Sequence, residues 1–150
     1  MRCMKQNLIS EHQTPIILTT LNARYIHSSL GLRYLMANMG ELRSQTALIE
    51  YNINSRPLDI AEDLLAQRPK IIGFGVYIWN VEQTQQIIQL IKTIDPTVII
   101  ILGGPEVSYE HDQQSIIQSV DYVINGTADQ AFKETCESLL SRSRPFNKII

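Results

Sequence analysis

The sequence predicts an α/β fold: a doubly wound, five-stranded parallel sheet between two layers of helices, with the flavodoxin-like strand order 2-1-3-4-5. Short apolar segments alternate five times with segments whose apolar residues recur at helical spacing, and the connections between them are short. Residues 98–102 form an apolar run, mostly β-branched, without alternating polar side chains. Such a run is typical of a strand that is buried on both faces by helices.

The five strands are expected at residues 16–20, 46–51, 70–76, 97–102 and 121–125. The first helix is predicted to begin at Ser28 or Ser29, which are favourable N-cap residues, and to end at Gly40. Pro57 favours the first turn of a second helix, since proline fits that position.

Capping boxes mark two further helices, because a polar N-cap residue is followed three residues later by Gln. Asn80 with Gln83 begins the third helix, and Thr127 with Gln130 begins the last. A short helix is expected between these two, around residues 113–118.

Composition and charge narrow the class of protein. The 150 residues are 44% apolar and 19% charged, which is ordinary for one globular domain. The 13 basic and 15 acidic side chains give a formal net charge of −2, and no basic run occurs, so nucleic acid is not an expected partner. Residues 1–14 form a polar segment without a secretion signal, and no apolar run is long enough to span a membrane. Cys3 and Cys136 are expected to be reduced thiols in a cytoplasmic protein, with Cys136 in the core.

The loops after strands 1, 3, 4 and 5 are expected to meet at one edge of the sheet, because the carboxyl ends of parallel strands lie together. They are residues 22–27, 77–80, 103–108 and 125–127. Gly103 and Gly104 end the fourth strand and have no Cβ atoms to keep a flat ligand from the backbone, although a tight turn would also explain the pair. The sequence therefore predicts a ligand site at this edge.

These loops lack the motifs of several catalytic sites. Val76 and Tyr77 stand where a phospho-acceptor domain has its aspartate, and the first loop is not the Ser/Thr-rich phosphate loop of a flavodoxin. No Walker A motif, Gly-x-Gly-x-x-Gly or Gly-x-Ser-x-Gly occurs. The sequence favours a binding crevice over a self-contained catalytic site, and it assigns no catalytic residue.

Three blocks in these loops, residues 21–30, 77–80 and 102–109, resemble the amino-terminal cobalamin-binding domain of B12-dependent radical SAM proteins. The resemblance implies that residues 15–140 hold a cobalamin flat over the carboxyl edge of the sheet. The nucleotide tail of the cofactor would then run beside strands 1, 4 and 5. The residues that the resemblance implies for cofactor contact are Asn22, Tyr25, His27, Tyr77, Trp79, Asn80, Gly103, Gly104, Pro105, Glu106, Val107 and Gly126.

Several of these residues also have simpler explanations, since Tyr25 and Tyr77 are more often core or rim residues than ligands and His27 would fit a surface position near a helix start. Packing alone would explain Trp79, helix capping would explain Asn80, and a solvated turn would explain Glu106.

The resemblance does not imply a protein ligand to cobalt. Corrinoid proteins with a histidine ligand carry Asp-x-His-x-x-Gly, in which the aspartate orients the imidazole. Here Tyr25 stands two residues before His27, and Gly31 comes one residue late. We therefore expect no protein metal ligand, and we expect Tyr25, Tyr77 or Trp79 to cover the lower face of the corrin.

The Cys-x-x-x-Cys-x-x-Cys motif that holds the 4Fe–4S cluster of radical SAM proteins does not occur in these residues. The resemblance therefore implies that the cluster and S-adenosylmethionine belong to a separate radical SAM domain, in the same full-length chain or in another. Residues 141–150 are predicted to be a linker toward it. The implied reaction is methyl transfer to an unreactive carbon or phosphorus atom.

Two alternatives to this function stay open at the sequence level. The family usually has Gly-Glu-Gly-Glu after strand 5, whereas this chain has Gly126, Thr127, Ala128 and Asp129. A small-molecule or nucleotide sensor, or a degenerate domain used for protein–protein contact, would also fit the fold.

Overall fold

A computed structural model of the protein describes residues 13–23, 29–104, 115–126, 129–141 and 147–150. The strands are β1 (Ile16–Asn22), β2 (Thr46–Asn52), β3 (Ile71–Gly75), β4 (Ile99–Gly103) and β5 (Tyr122–Val123). The α-helices are α1 (Leu30–Ala37), α2 (Pro57–Ala66), α3 (Val81–Ile94), α4 (Ser115–Gln118) and α5 (Asp129–Leu140), and a 3-10 helix covers Gly40–Gln45.

The five strands form one parallel sheet in the order β2-β1-β3-β4-β5, so the predicted fold class and strand order are confirmed. The strand limits agree with the prediction within about two residues at most ends. The strand that shortens most is β5, which is two residues long instead of the predicted five. The ladder nevertheless continues beyond it, since the backbone amide of Ile124 donates to the carbonyl of Leu102 at 2.8 Å.

Side chains alternate across the central strands and so divide the core into two layers. Ile17 and Leu21 of β1 face a layer covered by α2, α3 and α4, whereas Ile16 and Leu18 face a layer covered by α1 and α5. Because both faces are apolar, the central strands carry the unbroken apolar runs that the sequence shows. None of the helices in the described ranges is long and apolar enough to cross a membrane.

The helix starts agree with the sequence signals in two cases. Ser29 is the N-cap of α1, and its hydroxyl accepts a hydrogen bond from the amide of Leu32 at 3.3 Å. Pro57 opens α2. Gly40 lies beyond the end of α1, which stops at Ala37, and its φ of 57° instead opens the 3-10 helix.

The capping-box prediction for α3 is wrong. Asn80 is the N-cap residue by position, but its side chain makes no capping hydrogen bond. The reason is that the side-chain amide of Asn80 forms hydrogen bonds with residues at the carboxyl ends of β1 and β3, as described below. The second predicted box depends on Thr127, which lies outside the described residues.

The end of the chain packs against the sheet. Residues 147–150 run parallel to β5, where the amide of Ile150 donates to the carbonyl of Val123 and the amide of Val123 donates to the carbonyl of Lys148, both at 2.8 Å. Ile150 also packs on the core layer below α1 and α5. Part of the segment predicted as a linker therefore extends the sheet, and a further domain beyond it stays a prediction.

Cys136 offers a test of the α5 side of the core. The side chain is fully buried, and burial, together with the neighbouring charge of Glu137, raises the pKa of its thiol to about 12. Because only the thiolate is reactive, a Cys3→Ser variant should show no thiol reaction with Ellman's reagent at pH 8 while folded. One equivalent should react after unfolding in guanidinium chloride. Rapid labelling of the folded protein would contradict this packing of α5.

Candidate functional site

A cavity of about 310 Å³ lies at the carboxyl edge of the sheet, on the side covered by α1 and α5. The strands supply its back wall and the two helices supply its sides. Its lining residues are Leu18, Gly31, Leu32, Leu35, Gly73, Phe74, Gly75, Tyr77, Ile101, Leu102, Gly103, Gly104, Ile124, Gly126, Asp129 and Phe132. Six of the seven glycines of the chain are among them, but a Cβ atom would meet nothing within 4 Å only at Gly103 and Gly126 of these six.

The back wall is open because two glycines lie side by side. Gly75 of β3 and Gly103 of β4 are partners in the parallel register, so both leave the same face of the sheet without a side chain. A Cβ atom at Gly103 would meet no other atom within 4 Å. Gly73 lies two residues before Gly75 and faces the same way, but a Cβ atom there would lie 2.7 Å from the ring of Phe132. Gly103 therefore borders open space, whereas Gly73 lets Phe132 close the cavity against the sheet.

Gly104 has a different reason to be glycine. Its φ is 112°, a conformation that residues with a side chain rarely adopt. A Cβ atom at this position would lie 2.5 Å from the carbonyl oxygen of Val76. The close approach of the two backbones thus requires glycine, whether or not a ligand is bound.

Two aromatic rings form the rim beside β3. Tyr77 and Trp79 stack with parallel planes and ring centroids 4.6 Å apart. The indole Nε1 of Trp79 donates to the carbonyl of Leu21 at 3.3 Å, and the hydroxyl of Tyr77 lies 3.4 Å from that of Ser29. These contacts fix the pair between the ends of β1 and β3 while part of Trp79 stays exposed.

Asn80 lies beneath this rim and is fully buried. Its Nδ2 donates to the carbonyl of Leu21 at 3.0 Å and to the hydroxyl of Thr20 at 3.2 Å, and its Oδ1 accepts from the amide of Tyr77 at 2.9 Å. The side chain therefore ties the loop after β3 to the end of β1. This use explains why Asn80 does not cap α3, and it places the amide below the surface that a ligand would contact.

Glu50 of β2 connects the end of β1 to the start of α1 at the carboxyl edge of the sheet, and the sequence did not reveal this role. Its Oε1 accepts from the backbone amide of Ser29 and, at 3.3 Å, from Nδ2 of Asn22. Arg33 pairs with the second oxygen at 3.7 Å. The signal in the sequence was a carboxylate directly after the apolar residues of β2, in a partly buried position where a partner is favourable. Asn22, predicted to contact a cofactor, is thus at the edge but bonded to Glu50.

The remaining predicted site residues divide into two groups. Gly126 lines the cavity with a φ of 72°, and a Cβ atom there would meet nothing within 4 Å. Tyr25, His27, Pro105, Glu106 and Val107 lie outside the described residues, so the contacts predicted for them stay predictions. Within the described ranges, no group of three or more His, Cys, Asp or Glu side chains could hold a metal ion.

Comparisons with known proteins agree with this geometry. The model of a family described as B12 binding domain matches residues 16–135. A solved structure with the same fold is the 1.5 Å crystal structure of a novel cobalamin-binding protein from Desulfitobacterium hafniense DCB-2, with a TM-score of 0.60 and 14% sequence identity. The match covers 84% of this chain and 59% of that protein, so this chain spans less than two thirds of its length. No curated protein sequence matches the chain.

The two glycines at the end of β4 should respond differently to substitution. Gly104→Ala should lower the free energy of unfolding by at least about 2 kcal/mol, because both the positive φ and the Val76 carbonyl oppose a side chain. Gly103→Ala should change it by less than about 1 kcal/mol, since glycine in a strand is itself slightly unfavourable. Urea unfolding of the three proteins measures both values. Equal losses would contradict the difference in backbone constraint.

Proposed function

Because the chain belongs to the B12 binding domain family, we propose that it holds a cobalamin against the carboxyl edge of its sheet, as the corrinoid module of a radical SAM methyltransferase. The observation that carries the first part is the cavity beside Gly103, which is lined mainly by apolar residues and lies at the carboxyl ends of the strands. The second part rests on the loop blocks that resemble radical SAM proteins.

The cavity has the size and character that one part of cobalamin needs. A cavity of about 150 Å³ lined by Leu, Ile and Phe already binds benzene, so 310 Å³ leaves room for a bicyclic base. Its deep residues, Leu18, Ile101 and Phe132, are apolar and buried. The nucleotide tail would therefore enter between the sheet and the helices α1 and α5, beside β1, β4 and β5.

The rim suits the planar part of the cofactor. Ile78 is 75% exposed and Leu30 is 69% exposed, although both are large apolar side chains at the carboxyl edge. The stacked rings of Tyr77 and Trp79 lie between the ends of β1 and β3. Exposed apolar and aromatic side chains around a cavity are typical of a ligand surface. We infer that the corrin ring rests on this rim.

The roles of the protein residues follow from these positions. Gly103 leaves the approach to the back wall open, Tyr77 and Trp79 cover the lower face of the corrin, and Asn80 positions both rings through the loop that it anchors. Bound cobalamin supplies a cobalt centre that can carry a methyl group. The domain binds and orients this cofactor and shields one face from water, while the 4Fe–4S cluster and S-adenosylmethionine belong to a radical SAM partner domain.

Retention of the cofactor tests the binding proposal directly. The purified chain, mixed with hydroxocobalamin, should keep its red colour through gel filtration. Gly103→Leu fills open space at the cavity and should raise the Kd for cobalamin at least about tenfold, equivalent to ~1.4 kcal/mol. Circular dichroism and thermal unfolding of this variant serve as the control for the fold.

A folded chain that elutes from gel filtration without bound hydroxocobalamin would contradict the binding proposal. It would favour one of the two alternatives, a sensor for another small molecule or a domain used for protein contact. If Gly103→Leu and the unchanged protein have the same Kd for cobalamin, the nucleotide tail does not lie against the back wall of the cavity.

Electron paramagnetic resonance tests the surroundings of the cobalt. Free cobalamin in the Co(II) state shows nitrogen splitting from its own benzimidazole, and this splitting should disappear on binding if the tail enters the cavity and no protein nitrogen replaces it. The reason for expecting no replacement is that Tyr25 stands where an aspartate would orient His27. Nitrogen splitting that persists in the complex and is lost in His27→Ala would establish ligation by His27 instead.

A further inference from the structure

We propose that the cavity selects among corrinoids by the chemistry of their nucleotide base, accepting an apolar benzimidazole and discriminating against a purine. This inference rests on the proposed function, because it assumes that the tail of the corrinoid enters the cavity. It goes further by naming the class of corrinoid that the chain takes.

The lining of the cavity contains few groups that could bond a polar base. Among the described lining residues, only Tyr77 and Asp129 carry polar side chains. Tyr77 follows the end of β3, and Asp129 begins α5, so both lie at the edge of the sheet. The deeper wall consists of glycines and the buried apolar side chains of Leu18, Leu32, Ile101, Ile124 and Phe132, whereas Phe74 and Leu102 direct their side chains to the opposite core layer.

The backbone of the wall is already hydrogen-bonded. The carbonyl of Gly75 accepts from the hydroxyl of Thr20 at 2.7 Å, and the carbonyl of Gly103 accepts from the amide of Val76 at 2.8 Å. The carbonyl of Leu102 accepts from the amide of Ile124 at 2.8 Å. The strand backbone therefore has these acceptors engaged in holding the sheet together.

The two classes of base differ at the ring that lies farthest from the ribose. Dimethylbenzimidazole has two methyl groups there, which fit an apolar wall. Adenine has an exocyclic amine and ring nitrogens, which would lose water and find no side-chain partner among the described residues of the deeper wall. Each unpaired polar group of this kind weakens binding about tenfold or more, so the discrimination should be large.

Binding of three corrinoids to the apo protein tests the inference without an activity assay. The compounds are cobalamin, its adeninyl analogue and cobinamide, which lacks the nucleotide. Trp79 is the single tryptophan of the chain and lies on the rim, so quenching of its fluorescence reports binding. We expect the Kd of the adeninyl analogue to be at least tenfold above that of cobalamin, and we expect cobinamide to bind more weakly than cobalamin as well.

The outcomes separate this inference from the function on which it rests. Equal Kd values for all three compounds would keep corrinoid binding but overturn the selection by the base. An adeninyl analogue that binds as tightly as cobalamin, or more tightly, would also overturn it. If none of the three binds the folded chain, the proposed function fails and the inference fails with it.

A pair of Leu→Gln variants locates the selection within the protein. Leu35 of α1 lines the cavity and is only partly buried, so Leu35→Gln should fold and place an amide on the wall. It should reduce the preference for cobalamin over the adeninyl analogue by about tenfold. Leu58→Gln makes the same change on α2, across the sheet, and should leave both Kd values unchanged. If Leu35→Gln shows the same preference for cobalamin over the adeninyl analogue as the unchanged protein, the base does not contact this wall and the inference is overturned.

Discussion

Gly75 and Gly103 lie side by side in β3 and β4, and the space beside Gly103 is not filled by any of the residues that the structure describes. Protein interiors are normally packed as densely as organic crystals, so an open volume at this point is a departure that needs a reason. The surrounding structure keeps it open: Phe132 closes one end against Gly73, and the turn at Gly104 brings the chain against Val76. The opening at the end of β4, where a ligand could reach the sheet, therefore depends on the absence of a side chain at Gly103.

The rim above the cavity is held in place before any ligand binds. Asn80 joins the ends of β1 and β3 through four side-chain hydrogen bonds, and the indole of Trp79 adds another to the carbonyl of Leu21. Glu50 does the same on the other side by joining Asn22 to Ser29. A surface that is already ordered loses less conformational entropy on binding. The polar residues of the edge therefore act as supports, and the aromatic and apolar residues present the surface.

This division agrees with a protein whose cofactor carries the chemistry. The domain needs an apolar cavity, a flat rim and an opening between them, and the B12 binding domain family supplies the ligand that has a matching flat ring and tail. In the proposed arrangement, the nucleotide base is the part of the ligand on which the chain discriminates, because it would lie against a wall whose described residues carry few hydrogen-bonding groups.

The order of strands and the residues at their carboxyl ends were determined by the sequence alone, because the run at residues 98–102 and the regular alternation of strands and helices allow few other parallel sheets. The glycines at the end of β4 were likewise visible as a site. The sequence did not separate Gly103, which borders open space, from Gly104, which the backbone requires, because the difference depends on Val76 across the sheet. It also assigned Asn80 a helix-capping hydrogen bond that the structure does not show, and it did not identify Glu50 or Phe132 as residues of the site. The partners of these side chains lie on other strands and helices, and only the tertiary structure brings them within bonding distance.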